Sequence, residues 1–180
     1  MTSQLTLNEL LERNKAVAAK HEPIPTFAEL ASMGAEPGHI VILTCADPRC
    51  NPHYFFDLKP NDGVIIFRNI NGHVEPALNG ILALDTWIGI HDIMIVHHTD
   101  CGALQWTDEQ VKTTLKKWVP ERSKEIDNIS TFGAVTNIEQ SIKDDLVILK
   151  SSPYIRKELA DRSVGYVFDL KTGELTPVEG

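Results

Sequence analysis

Three short runs of the chain are apolar without interruption: Ile40-Val41-Ile42-Leu43, Val64-Ile65-Ile66-Phe67 and Ile93-Met94-Ile95-Val96. They are rich in β-branched residues and polar residues do not alternate through them, the pattern of strands buried on both faces of a parallel sheet. They predict strands over His39 to Thr44, Gly63 to Phe67 and Asp92 to Val96. Elsewhere the apolar spacing changes to the helical period. Glu75 to Ile90 carries Ala77, Leu78, Ile81, Leu82, Leu84 and Trp87 as a broad apolar face, with Gly89 near its end. Asn137 to Lys150 carries Ile138, Ile142, Leu146 and Leu149 and stops before Pro153. Shorter readings are a helix over Phe27 to Met33 ended by Gly34, a helix or turn over Pro52 to Leu58, and a polar helix over Thr107 to Trp118 stopped by Pro120. Val164 to Leu170 and Glu174 to Val178, separated by Lys171-Thr172-Gly173, read as a closing strand and a hairpin partner.

Ahead of the first strand, Leu5 to Lys20 has apolar positions at Leu7, Leu10, Leu11 and Ala18, and Thr6 with Glu9 forms a capping-box pattern. Pro23, Pro25 and Pro37 cut this helix off from the first strand. Such an arm either packs on its own domain or reaches to a second subunit, and spacing leaves both open. Strands alternating with helices predict an α/β fold: a single domain over 1–180, with a mainly parallel central sheet flanked by helices and an N-terminal helical arm over 1–36.

Composition narrows the classes. At 180 residues, 42% hydrophobic and 23% charged, the chain suits one well-buried domain. The net charge of −8 is interspersed and no basic stripe is present, so nucleic acid is not an expected partner. No apolar run approaches the ~20 residues that span a membrane. Met1-Thr2-Ser3-Gln4-Leu5 lacks the layout of a secretory signal, and the cytoplasm is the expected compartment. Three cysteines, an odd number, argue for metal or thiol chemistry over a disulfide framework.

The candidate chemistry sits at strand ends. Cys45 closes the first strand, and His98 and Cys101 follow the third. In open α/β sheets the carboxyl ends of strands, where crossovers diverge, are where ligands bind. Two thiolates and an imidazole make a suitable zinc set with a fourth position open for water. The competing readings are a small buried hydrophobe for each cysteine, a Cys45–Cys50 redox pair, which lacks the C-x-x-C spacing, and a phosphate-binding thiolate loop, which Pro48 weakens because it has no N–H to offer. Asp47 can accept a hydrogen bond from metal-bound water while Arg49 holds it by a charge-assisted fork. It can equally form an ordinary salt bridge in a turn, and spacing alone leaves the two readings open.

Cys45-x-Asp47-x-Arg49 followed by His98-x-x-Cys101-Gly102 resembles the β-class carbonic anhydrases, over about His39 to Leu104. The form His97-His98-Thr99-Asp100-Cys101-Gly102 is most like the short members, a group that includes carbonyl sulfide hydrolases. The resemblance implies that Cys45, His98 and Cys101 bind Zn2+ and that Asp47 and Arg49 orient the nucleophile. In some relatives the aspartate swings onto the metal. Asn69, beside Arg68, and Gly102 are implied to line the substrate pocket. The implied reaction is hydration of CO2 to bicarbonate by a metal-bound hydroxide, or hydrolysis of carbonyl sulfide to CO2 and hydrogen sulfide at the same site. A catalytically silent zinc-binding homologue would be expected to have lost Asp47 or Arg49, and both are present. A homodimer or homotetramer is implied, with the N-terminal helix lying across the partner. Pro48 departs from the Ser or Ala common in relatives, and Cys50 has no assigned role. Tyr54, Phe55, Phe56, Phe67, Trp87 and Trp106 stand near the motifs and read first as core, whereas His53, His73 and His91 read first as surface residues.

Overall fold

A computed structural model describes residues 5–35, 38–59 and 62–180. Pro37, one of the expected helix breakers, lies outside the described residues, as do the first four residues. The chain divides into two compact units, Met1–Glu36 and Pro37–Gly180.

The first unit holds α1 (Leu7–Ala18) and α2 (Phe27–Ser32), each opened by a capping box. The Thr6 hydroxyl accepts the Glu9 N–H at 3.2 Å, and the Glu9 carboxylate accepts the Thr6 N–H at 2.7 Å. Thr26 and Glu29 repeat the arrangement. Two of the four donors left over at each helix start are thereby satisfied. Neither helix buries a residue.

The second unit is built on a sheet of β1 (Ile40–Cys45), β2 (Val64–Asn69), β3 (Asp92–His98), β4 (Ser163–Phe168) and β5 (Leu175–Val178), in the order β2-β1-β3-β4-β5. The first four strands run parallel, and β5 pairs antiparallel with β4 as the expected hairpin partner. The architecture is therefore α/β with a mostly parallel central sheet. The strand after β1 lies on one side of it and β3 on the other, so the crossovers part between β1 and β3. β1 extends to Cys45 and β3 to His98, further than the apolar runs alone predict.

Helices α3 (Pro52–Phe55), α4 (Val74–Ile88), α5 (Asp108–Trp118), α6 (Ser123–Asp127), α7 (Ile138–Ser151) and α8 (Lys157–Asp161) complete the unit. Val41, Leu43, Ile93 and Ile95 meet Val74 and Ile81 of α4 and Ile142, Leu146 and Leu149 of α7 in one buried cluster. Each fully buried side chain of this kind contributes about 1.5–3 kcal/mol relative to exposure. Gly165 of β4 permits the close approach of α7, since a Cβ there would stand 2.3 Å from Ile142 Cγ2. On the other side Ile42, Val96 and Phe168 pack with Cys45, Cys50 and Cys101. Trp87, expected on the inner face of α4, is exposed at that helix's last turn, and Tyr54 is exposed too. Among the described residues no helix is long and apolar enough to cross a membrane.

Candidate metal centre

β1 and β3 are hydrogen-bonded neighbours, so their ends deliver Cys45 and His98 side by side. Cys101 returns from the turn after β3, which Asp100 makes possible by taking a left-handed backbone conformation (φ 53°), one that Asp tolerates better than most residues. The Cys45, His98 and Cys101 ligand atoms all lie within 4.8 Å of one another, and all three residues are buried. The two sulfurs are 3.8 Å apart. Tetrahedral zinc with bonds of about 2.3 Å holds two sulfurs about 3.8 Å apart, so the sulfur spacing fits that ion.

His98 supplies the second sign. Its Nδ1 lies 2.9 Å from the Thr99 carbonyl oxygen. A proton donated there leaves the Nε2 lone pair free, and Nε2 is buried with no hydrogen-bond partner among the described residues. A buried polar atom without a partner is costly unless something else engages it. The sulfurs add to this: the hydrogen bond from Cys101 draws the Cys45 thiol far down, against burial, and the same contact drives Cys101 up. Without an ion Cys101 keeps its proton and shares it with the Cys45 sulfur; a cation bound between the two sulfurs would let both ionise. The donor set and the unpartnered nitrogen both suit a metal ion.

The adjacent turn is tightly organised. Cys50 N–H donates to the Asp47 carbonyl at 2.9 Å, closing a four-residue turn with Pro48 at the position that favours proline. The turn brings Arg49 back onto Asp47: its backbone N–H donates to Oδ1 at 2.9 Å, Nε to Oδ1 at 3.0 Å, and an outer nitrogen to Oδ2 at 2.6 Å. Arg49 also donates to the Asp100 carboxylate at 2.8 Å and to the Asp100 carbonyl at 3.0 Å. The fork holds the Asp47 carboxyl at about 2, well below its ordinary range, against a smaller opposing effect of burial. Asp47 Oδ2 stands 3.9 Å from His98 Nε2, so the ionised carboxylate faces the space beside the ligand atoms. From β2, Arg68 donates to the carbonyls of Cys45, Asp47 and Cys50 at 3.0, 2.6 and 3.2 Å, and so ties down the loop that bears ligand and dyad together.

Residues 40–175 match the family described as carbonic anhydrase. The chain belongs to the β-carbonic anhydrase family. It is 28% identical over 148 residues to Beta-carbonic anhydrase 1 of Mycobacterium tuberculosis (strain ATCC 25618 / H37Rv), covering 78% of this chain and 82% of that one. It is also 28% identical over 154 residues to the Carbon disulfide hydrolase of Acidianus sp. (strain A1-3), covering 74% of each. The solved carbonic anhydrase from Glaciozyma antarctica superposes with a TM-score of 0.75 at 26% identity, covering 99% of this chain and 98% of that one.

Within this family member, the structure brings together Cys45, His98, Cys101, Asp47 and Arg49. Asn69 pairs with Cys45 across the β1–β2 register, but its amide is engaged by the His73 carbonyl (2.9 Å) and the Gly72 N–H (3.1 Å). Gly102 begins a single helical turn directly after Cys101, and among the described residues nothing beyond its own turn lies within 4 Å of where a Cβ would stand. Cys50 is buried against the Thr44 hydroxyl at 3.1 Å, and burial raises its thiol pKa. Such a thiol is inert, and the sulfur facing Cys45 is that of Cys101. Phe55, Phe56 and Trp106 pack against the cysteine cluster, and Phe67 against the opposite one. Sequence reasoning missed Asp100, whose only signal was its place within the His-x-x-Cys turn. It also placed His73 at the surface, whereas the ring is mostly buried and lies 2.9 Å from the buried Asp145 carboxylate.

Proposed function

We propose that this chain binds Zn2+ through Cys45, His98 and Cys101 and hydrates CO2 to bicarbonate there. The observation that carries the reading is the buried, unpartnered Nε2 of His98. It converges with two sulfurs 3.8 Å apart beside a carboxylate already locked by its own arginine. When bound, zinc would act as a Lewis acid and make a water in its open position acidic near neutral pH. The protein's contribution is orientation. Asp47, ionised and therefore acceptor-only, takes a hydrogen bond from the attacking water and turns its lone pair toward the carbon. Arg49, gripped by Asp47 on one side and Asp100 on the other, fixes the carboxylate's direction and keeps it charged. Four hydrogen bonds from Arg49 hold both Asp47 oxygens, which suits an orienting role for the carboxylate. Gly102 directly follows Cys101 and places no side chain beside the ligands.

Carbonyl sulfide is the second substrate to test. Attack on its carbon gives a thiocarbonate that collapses to CO2 and hydrogen sulfide, with the same residues in the same roles. The Acidianus relative is named as a carbon disulfide hydrolase, and Phe55, Phe56, Trp106 and Val135 give the cysteine cluster an apolar surround suited to sulfur. We also propose that the chain works as a homodimer or homotetramer, because α1 exposes Leu7, Leu10, Leu11 and Val17. Metal content of protein purified without chelators, with paired assays of CO2 hydration and hydrogen sulfide release, tests the reading. One zinc per chain at this site and rapid hydration are expected. Absence of stoichiometric zinc there ends the proposal, and fast sulfide release with negligible hydration reassigns the substrate.

A further inference from the structure

A second cluster of ligating side chains lies apart from the cysteines. His73, His97 and Asp145 come from the start of α4, the end of β3 and the middle of α7, and their ligand atoms lie within 4.8 Å of one another. Asp145 Oδ2 is 2.9 Å from His73 Nδ1 and 3.4 Å from His97 Nε2. A tetrahedral ion with bonds of about 2.0–2.1 Å to nitrogen and oxygen separates its ligands by about 3.3 Å. We propose that this cluster is a second metal site, which takes a divalent transition-metal ion through His73 Nδ1, His97 Nε2 and one oxygen of Asp145.

The groups behind the ligands support this. A metal-bound histidine donates its other ring N–H to a fixed acceptor, and a bound carboxylate is itself hydrogen-bonded. His73 Nε2 faces the Gly133 carbonyl at 3.3 Å. Asp145 Oδ1 accepts the Val74 N–H at 2.7 Å. His97 Nδ1 faces the side-chain amide of Asn71 at 3.1 Å, and that amide also reaches the Ser141 hydroxyl at 2.9 Å. Which end of an amide is oxygen is settled by its partners. With nitrogen toward His97, the amide oxygen of Asn71 is buried and has no hydrogen-bond partner among the described residues. Turned over, the oxygen accepts from His97 Nδ1–H and from the Ser141 hydroxyl together. Metal binding then relocates one proton within each ring: in His73 from Nδ1 to Nε2, where the Gly133 carbonyl accepts it, and in His97 from Nε2, which otherwise faces the Gly72 carbonyl at 3.4 Å, to Nδ1, where the turned-over Asn71 amide accepts it.

Access and charge agree with a cation. His73 and Asp145 line a cavity of about 690 Å3 that Glu75 and Asp144 also line, with no Lys or Arg among its described lining residues. A carboxylate-lined cleft concentrates cations, and the remaining coordination positions would open to its water. Two nitrogens and one carboxylate oxygen also form the donor set of catalytic zinc and non-haem iron(II) sites.

The test uses Zn2+ as probe on the intact chain, with two-bond 1H–15N spectra of the imidazole nitrogens. His98 signals report the thiolate site independently, so its filling or failure is read separately. Beyond the first equivalent, Zn2+ is expected to switch the protonated nitrogen of His73 and of His97 and to bring metal content to two per chain. His73→Phe, with its fold verified by circular dichroism, is expected to lose the second equivalent and to leave the His98 response intact. Unchanged His73 and His97 tautomers under excess Zn2+, or equal uptake by His73→Phe, overturns the second site.

Discussion

Replacing Gly72 with alanine puts a methyl group into the backbone that carries the first cysteine. Gly72 has φ 90°, and a Cβ there would stand 2.9 Å from both the carbonyl carbon and the Cα of Thr44, the residue before Cys45. Two costs add. A left-handed backbone costs an alanine about 1–2 kcal/mol, and forced overpacking costs about 1–3 kcal/mol more. Gly89 isolates the first cost, because its φ is 71° and among the described residues nothing but its chain neighbours lies within 4 Å of its Cβ position. For a chain of this length 1 kcal/mol lowers Tm by about 2–4 °C. Gly89→Ala is therefore expected to lower Tm by about 2–8 °C and Gly72→Ala by about 4–20 °C. Scanning calorimetry of both variants, with zinc content measured on the same samples, is the assay. Gly72→Ala should also lose zinc more readily, because the clash is relieved by moving β1 at its ligand-bearing end, whereas Gly89→Ala should retain it. Equal Tm losses in the two variants, with zinc retained in both, would refute the claim that Gly72 is required by the approach to β1.

Asp47→Ala is expected to lower kcat by about 10²–10⁴, the range for a positioned proton-handling group, while zinc content by elemental analysis stays at the wild-type level. Arg49→Lys should lose much of the same rate, because an ammonium cannot reproduce the fork; wild-type turnover in either variant removes the dyad assignment. Away from the site, Arg156 donates to both oxygens of Asp85 at 2.7 and 2.9 Å and holds its carboxyl below the ordinary 3.8. A depressed carboxyl contributes stability that is present above its unfolded pKa and lost as pH falls through the folded value. Urea unfolding should show Arg156→Gln less stable than wild type at pH 6, with the gap closing below about pH 4; a gap that persists unchanged to pH 2 contradicts the linkage.

The sheet was legible because parallel strands buried on both faces leave unbroken apolar runs, and β1, β2 and β3 announce themselves that way. The closeness of the proposed ligands was legible for a related reason: Cys45 and His98 stand at strand ends, where neighbouring strands bring distant positions together. Side-chain pairings over long separations were not legible. Asp145 lies mid-helix between Asp144 and Leu146, and nothing local says that its carboxylate caps the start of α4 in place of His73, which makes no side-chain cap. Helical periodicity assigned Trp87 inward, but its side chain is exposed at the last turn of α4. The short helices α6 and α8 fall in stretches too brief for a period to show.

The guanidinium of Arg68 bonds three backbone carbonyls of one loop, those of Cys45, Asp47 and Cys50. In small zinc domains the ion itself drives folding, and the empty chain is disordered. Here the protein's own cation ties down the loop that carries Cys45 and Asp47, which would lower the ordering entropy left for the proposed ion to meet. If the proposed ion binds there, its exchange is expected to be decoupled from unfolding and to run at the rates of ligand exchange.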